Sequence, residues 1–218
     1  MSNKIVKTYK FTTIIFLLIF NAGCVGLDKS SGIDMAPDYN QKSSGVIIPA
    51  KMMLADFNSG RKINKIGGKF DSWDKDPSDD SEYCIISFSS VHKVGEEGMS
   101  LYVEYDVDSD EPTYNGFWMK LQSADLRPYK YLVLHVKGDV EKGFTERIIL
   151  EIKDAHGRSG RTMLPGITGN WREIYVPFTM LKGINDLSNI EEFVITFTSD
   201  KVYPKSGAIY IDNIYVSK

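Results

Sequence analysis

Tyr114 to Asp139 read YNGFWMKLQSADLRPYKYLVLHVKGD, and this stretch decides the fold class of the 218-residue chain. Side chains along a β-strand alternate between two faces, so residues two apart share a face. In the first run Phe117, Met119 and Leu121 lie together, leaving Trp118 and Lys120 opposite. In the second, Leu132, Leu134 and Val136 oppose Tyr131, Val133, His135 and Lys137. One face of each run is core. The other carries large side chains with polar tips, so the tryptophan on the wet side needs a reason.

Strand-like runs recur on both sides of this stretch: Met52 to Phe57, Gly68 to Trp73, Tyr83 to Phe88, Ser100 to Asp106, Glu146 to Lys153, Arg161 to Leu164, Trp171 to Phe178, Glu192 to Thr198 and Ala208 to Val216. Turn residues separate them, among them Asn58-Ser59-Gly60, Gly67-Gly68, Pro112, Asn115-Gly116, Lys137-Gly138-Asp139 and Pro204 to Gly207. Thr179 to Ile190 is the one segment with room for a short helix. Many short alternating strands predict an all-β fold, an antiparallel two-sheet sandwich. The inner faces are expected from Leu101, Val103 and Tyr105; Ile148, Leu150 and Ile152; Ile174, Val176 and Phe178; and Phe193, Ile195 and Phe197.

The N-terminal region has a different character. Lys4, Lys7 and Lys10 precede the apolar run Ile14 to Phe20, followed by Asn21-Ala22-Gly23-Cys24. A basic segment, a short apolar segment and small residues, in that order, form an export signal, and the apolar run is short for a membrane span. Cysteine after Ala22-Gly23 resembles a bacterial lipoprotein processing box, with Asn21 where leucine is usual. The resemblance implies that residues 1–24 are removed up to a lipidated Cys24, which anchors the chain to the membrane of the cell envelope, at the outer membrane or cell surface. Residues 25–50, rich in Ser, Gly, Asp and Lys, read as a flexible polar tether, and residues 51–218 as one domain.

Charge and cysteines exclude several functions. The segment through Cys24 carries three lysines and no acid, so the remainder has 23 basic against 29 acidic side chains, a formal charge of about −6. Nucleic acid requires a basic face and is excluded as a partner. With Cys24 lipidated, Cys84 has no intramolecular disulfide partner, and its place in a strand-like run predicts a buried, inert thiol. No Gly-x-Ser-x-Gly or His-Glu-x-x-His occurs. Glu104, Asp106 and Asp108 alternate as catalytic carboxylates do in family 16 glycoside hydrolases, but the third acid there is a glutamate, so the chain is not expected to be an enzyme.

The order of segments carries a resemblance. Asn115-Gly116-Phe117 opens a strand; Asp125-Leu126 precedes Tyr129-Lys130-Tyr131; an apolar strand closes in Lys137-Gly138-Asp139; Asn170-Trp171 leads to Val176-Pro177-Phe178; and Ile209-Tyr210-Ile211-Asp212-Asn213-Ile214 ends the domain. Together these resemble the galactose-binding-like jelly rolls, within them the family 11 carbohydrate-binding modules and the complex-I intermediate-associated domains. The resemblance covers roughly Met52 to Lys218. It implies noncovalent binding of a polysaccharide or oligosaccharide on one sheet face, and a structural calcium ion near the chain ends, with Asp56 and Asp212 as its ligands. It also leaves a structural or assembly role with protein partners in the envelope as the alternative.

A sugar presents apolar C–H faces and a ring of hydroxyls, so its site needs flat aromatics beside hydrogen-bonding groups. The outward set supplies the candidates: Trp118 first, then Tyr102, Tyr131 and Tyr175 as platforms, with His135, Arg147 and Glu104 as polar partners. Trp171 is expected to plug the sandwich edge. The acidic runs Asp106 to Asp110 and Asp71 to Glu82 are expected to be solvated turns and loops.

Overall fold

The computed structural model describes residues 49–218. Cys24, the export signal and all but the end of the expected tether lie outside the described residues. Eleven strands follow in order: β1 (Lys51–Ala55), β2 (Phe70–Asp74), β3 (Tyr83–Ser89), β4 (Ser100–Asp106), β5 (Tyr114–Ala124), β6 (Tyr131–Gly138), β7 (Arg147–Asp154), β8 (Ser159–Pro165), β9 (Arg172–Pro177), β10 (Ile190–Thr198) and β11 (Ser206–Ser217). The first sheet has the order β3-β4-β11-β6-β9, and β1 joins the same edge of β11 as β4, one stretch further along. The second sheet has the order β2-β5-β10-β7-β8. Every pairing is antiparallel, and the result is a two-sheet β-sandwich.

The core lies where the alternation places it. Leu101, Val103 and Tyr105 face inward from β4, and Leu132, Leu134 and Val136 from β6. Phe117, Met119 and Leu121, Ile148, Leu150 and Ile152, and Phe193, Ile195 and Phe197 oppose them from the second sheet. Tyr105 and Phe197 join the sheets by stacking, 4.2 Å between centroids and 7° from parallel. Full burial of one such side chain contributes about 1.5–3 kcal/mol. Cys84 is buried as expected, and burial pushes its thiol far up, which keeps it protonated and unreactive. Ile174 is only half-buried because β9 is an edge strand.

Local readings differ from the fold at three places. Asn115-Gly116 forms no turn: both residues lie inside β5, with the Asn115 carboxamide donating to the carbonyls of Tyr83 at 2.8 Å and Asp106 at 2.6 Å. A buried polar side chain that caps two carbonyls of the facing sheet overrides the turn preference of the dipeptide. Thr179 to Ile190 holds no α-helix; a single 3-10 turn, Phe178–Met180, precedes irregular chain. Val133, outward by parity, is fully buried under its cross-strand neighbours Tyr175 and Tyr215.

Candidate functional site

Of the two outer faces, that of the first sheet is the more aromatic and the more occupied by its own bonds. Tyr102 of β4, Tyr131 of β6, Tyr175 of β9 and Tyr210 and Tyr215 of β11 all stand on it, the last two on one side because a bulge at Asp212–Asn213 resets the alternation. Tyr83 donates to Glu104 at 2.8 Å. Tyr102 and Tyr210 both donate to Asp139, at 3.3 and 3.1 Å, while Tyr215 and Tyr175 share the Glu173 carboxylate. Lys142 pairs with Glu104 and holds its carboxyl below the usual range, against the opposing effect of burial. His135 Nε2 stands 3.7 Å from Glu173; burial pushes its pKa down, outweighing the attraction of that carboxylate. The loop after β3 then folds across part of the face. The Val94 N–H donates to Asp212 at 2.8 Å, and the His92 ring lies 4.7 Å from that of Tyr210. These side chains are committed to one another.

The outer face of the second sheet is built differently. Register aligns Asp71, Trp118, Val194, Glu151 and Arg161 in one row across all five strands. The next row is Trp73, Gly116, Thr196, Ile149 and Met163, and on the other side run Lys120, Glu192, Lys153 and Ser159. Trp118 and Trp73 are diagonal neighbours, close enough for one ligand to touch both. Gly116 leaves the floor beside Trp73 without a side chain, and no other residue fits, since a Cβ there would lie 2.0 Å from the Ile195 carbonyl oxygen. Two adjoining depressions of about 310 and 300 Å³ result, sharing Trp73, Lys153 and Val194. They form one groove, with tryptophans on the β2–β5 side and polar side chains on the β7–β8 side.

The groove's electrostatics are divided. Trp73 packs edge-on against Tyr114 at 5.7 Å, and the Lys120 ammonium stands 5.6 Å from the Trp118 ring centroid, so each ring is held by a neighbour. Glu192 is bridged by Lys120 and by Lys153 at 3.0 Å. Burial raises the Glu192 carboxyl, but the two lysine hydrogen bonds and charges prevail and hold it below its usual range. Glu151 and Arg161 face each other across β7 and β8 yet make no ion pair or side-chain hydrogen bond among the described residues. An unpaired carboxylate and an unpaired guanidinium beside two partly exposed tryptophans can accept from and donate to hydroxyls of a flat, polar ligand.

The seven expected binding residues therefore do not converge. Trp118 and Arg147 lie on the second sheet's outer face, whereas Tyr102, Tyr131, Tyr175, His135 and Glu104 lie on that of the first. Alternation reports which residues avoid the core, but pairing order decides which sheet each belongs to. Trp73, Tyr114, Lys153, Arg161 and Glu192 are groove residues that the sequence reading passed over. Trp73 had a signal: in Phe70-Asp71-Ser72-Trp73 it has the parity of Asp71, opposite to the buried Phe70. Asp108 lies beyond the end of β4, where it pairs with Lys205 at 3.2 Å, so Glu104, Asp106 and Asp108 do not line one strand face. Glu82 is buried and accepts from the Asp76 N–H at 2.8 Å, so the acidic loop it closes is exposed only in part.

Asp56 and Asp212 stand near each other, at the point where β1 and β4 meet along β11. Burial pushes the Asp212 carboxyl up to about 6, and the neighbouring charge of Asp56 adds to the effect. Asp212 accepts one backbone N–H on each oxygen, and Asp56 pairs with Lys65 at 2.8 Å. A buried carboxylate beside a second one fits a hard cation, which would reverse the repulsion between them. Among the described residues no three His, Cys, Asp or Glu side chains gather around one point, so the remaining ligands would be backbone carbonyls or water.

Comparison with solved structures places this architecture. The family 11 carbohydrate-binding module from Clostridium thermocellum, in complex with a β-1,3-1,4-mixed-linked tetrasaccharide, superposes with a TM-score of 0.57 at 19% identity, over 77% of this chain and 95% of that one. The fold is that of the family 11 carbohydrate-binding modules. The family 30 module of a cellulosomal cellulase from the same organism matches with a TM-score of 0.51 at 16% identity, over 67% of this chain and 91% of that one. An exo-β-agarase matches with a TM-score of 0.54 at 13% identity, over 76% of this chain but 25% of the enzyme. No protein-family model and no curated protein matches the sequence.

Proposed function

We propose that this chain binds a carbohydrate noncovalently in the groove on the outer face of the second sheet. Trp73 and Trp118 are the platforms for the apolar faces of sugar rings, and Glu151, Arg161 and Lys153 hydrogen-bond to the hydroxyls. The observation that carries the reading is the groove itself: two partly exposed tryptophans facing a carboxylate and a guanidinium without a side-chain partner among the described residues. The first sheet's outer face, with its tyrosines other than Tyr131 bonded to its own carboxylates and its loop folded over, serves stability. The solved modules of the same fold support a binding rather than a catalytic role. In this reading Cys24 is lipidated, and the domain is displayed from the bacterial cell envelope to hold polysaccharide there.

Asp56 and Asp212 hold a structural calcium ion that neutralises the buried Asp212 and ties β1 to β11. The ion has no part in the chemistry of the groove.

Affinity-gel retardation against a panel of polysaccharides, beginning with β-1,3-1,4-mixed-linked glucan, tests the function. Retardation by at least one polymer, lost in Trp118→Ala, is expected. No retardation by any member of a broad plant and microbial panel would refute it.

A further inference from the structure

The groove does not end at Glu151. Arg147 stands on the same side of β7 as Ile149 and Glu151, and beyond it the loop after β10 rises at the end of the sandwich where β11 begins, opposite the end where Lys51 enters. Phe144, Glu146, Arg147, Lys201, Tyr203 and Pro204 enclose a depression of about 380 Å³ there. Tyr203 is 86% exposed, more than any other large apolar side chain among the described residues. Its hydroxyl and ring have no partner among them, unlike the bonded tyrosines of the first sheet. Lys201 is taken by Asp200 at 2.8 Å, but the side chains of Arg147 and Glu146 form no ion pair or hydrogen bond among the described residues. An unsatisfied aromatic platform, a donor and an acceptor thus recur at the far end of the groove, as they do at its centre.

We propose that this depression is a distal sugar subsite, so that the protein takes a chain of several units, reaching from Trp118 to Tyr203. This rests on the carbohydrate reading of the groove. Tyr203 covers the apolar face of one ring, Arg147 donates to its hydroxyls and Glu146 accepts from them. At the centre and at the far end alike, a free guanidinium stands with a free carboxylate, Arg161 with Glu151 and Arg147 with Glu146, and the hydroxyls of a sugar satisfy both members.

The test is calorimetry with oligosaccharides of four and eight units cut from the polysaccharide that retards the protein, the mixed-linked β-glucan being the first probe. The longer chain is expected to bind about tenfold more tightly, because the second contact is made within a ligand already held. Tyr203→Ala should remove that gain and leave the tetrasaccharide affinity unchanged, and Tyr203→Phe should keep both. Equal affinity of Tyr203→Ala and wild type for the octasaccharide would overturn the subsite, as would equal losses for both lengths. Failure of the underlying reading looks different: no polysaccharide then retards even the wild type.

Discussion

Replacing Trp118 by alanine removes one wall of the groove and leaves the core untouched, because Trp118 points outward between Phe117 and Met119, which point in. A tryptophan buries about 150–250 Å² when fully covered, and Trp118 is already mostly buried in the free protein, so about 50 Å² remains for a sugar to cover. At about 25 cal/mol per Å² that area is worth about 1.3 kcal/mol. The corresponding loss in affinity is about tenfold in Kd. Titration calorimetry with the retarding polysaccharide measures it, and thermal melting of the same preparations checks that the fold survives, with stability expected within about 1 kcal/mol of wild type. Trp73→Ala should lose affinity by a similar factor, since the two rings are diagonal neighbours on one face. Tyr175→Ala, on the opposite sheet, should leave Kd unchanged. Wild-type affinity in both tryptophan variants, or a loss confined to Tyr175→Ala, would refute the placement of the site.

Three further outcomes follow from the same contacts. Calcium at a hundredfold excess over its Kd should add about 2.7 kcal/mol relative to chelator, about 5–11 °C in Tm for a domain of this size, and Asp212→Asn should abolish the difference; superimposed melting curves with and without calcium would remove the ion. The Glu192 carboxyl is depressed in the fold, so its stabilising contribution is present above its unfolded pKa and is lost as pH falls through the folded value. Glu192→Gln should therefore lower Tm at pH 7 by leaving Lys120 and Lys153 facing each other, and should flatten the loss of Tm on acidification; an unchanged acid slope would refute the bridge. Tyr105→Ala, which removes the ring stacked on Phe197 and the hydroxyl bonded to the Pro204 carbonyl at 3.1 Å, should cost about 3–5 kcal/mol in urea unfolding.

The outward face carried most of the functional signal, and only part of it was legible. Parity alone put Trp118, Arg147 and Glu151 outside the core, because Trp118 and Glu151 each sit between two buried neighbours and Arg147 precedes the buried Ile148. Parity also put Tyr102, Tyr131 and Tyr175 outside, and nothing in a single strand distinguishes a tyrosine bonded to Asp139 from one free to bind a ligand, since Asp139 is 37 residues from Tyr102. Glu173 is two residues from Tyr175 on the same strand, but it is shared with Tyr215, 42 residues away. Likewise the Asn115-Gly116 dipeptide reads as a turn until the carbonyls of Tyr83 and Asp106 arrive from the other sheet.

What the sequence by itself determined is the set of inner faces and with it the sandwich. A side-chain period of two is a local property of extended chain, and burial of the apolar half is the dominant driving force. What only the tertiary structure decided is which outward residues share a face. The order β2-β5-β10-β7-β8 brings Trp73, Trp118, Glu151 and Arg161 into one groove from strands up to ninety residues apart, and the order β3-β4-β11-β6-β9 gathers the tyrosines on the opposite side. Strand order is set by long-range pairing and loop closure, which leave no periodic trace in the chain.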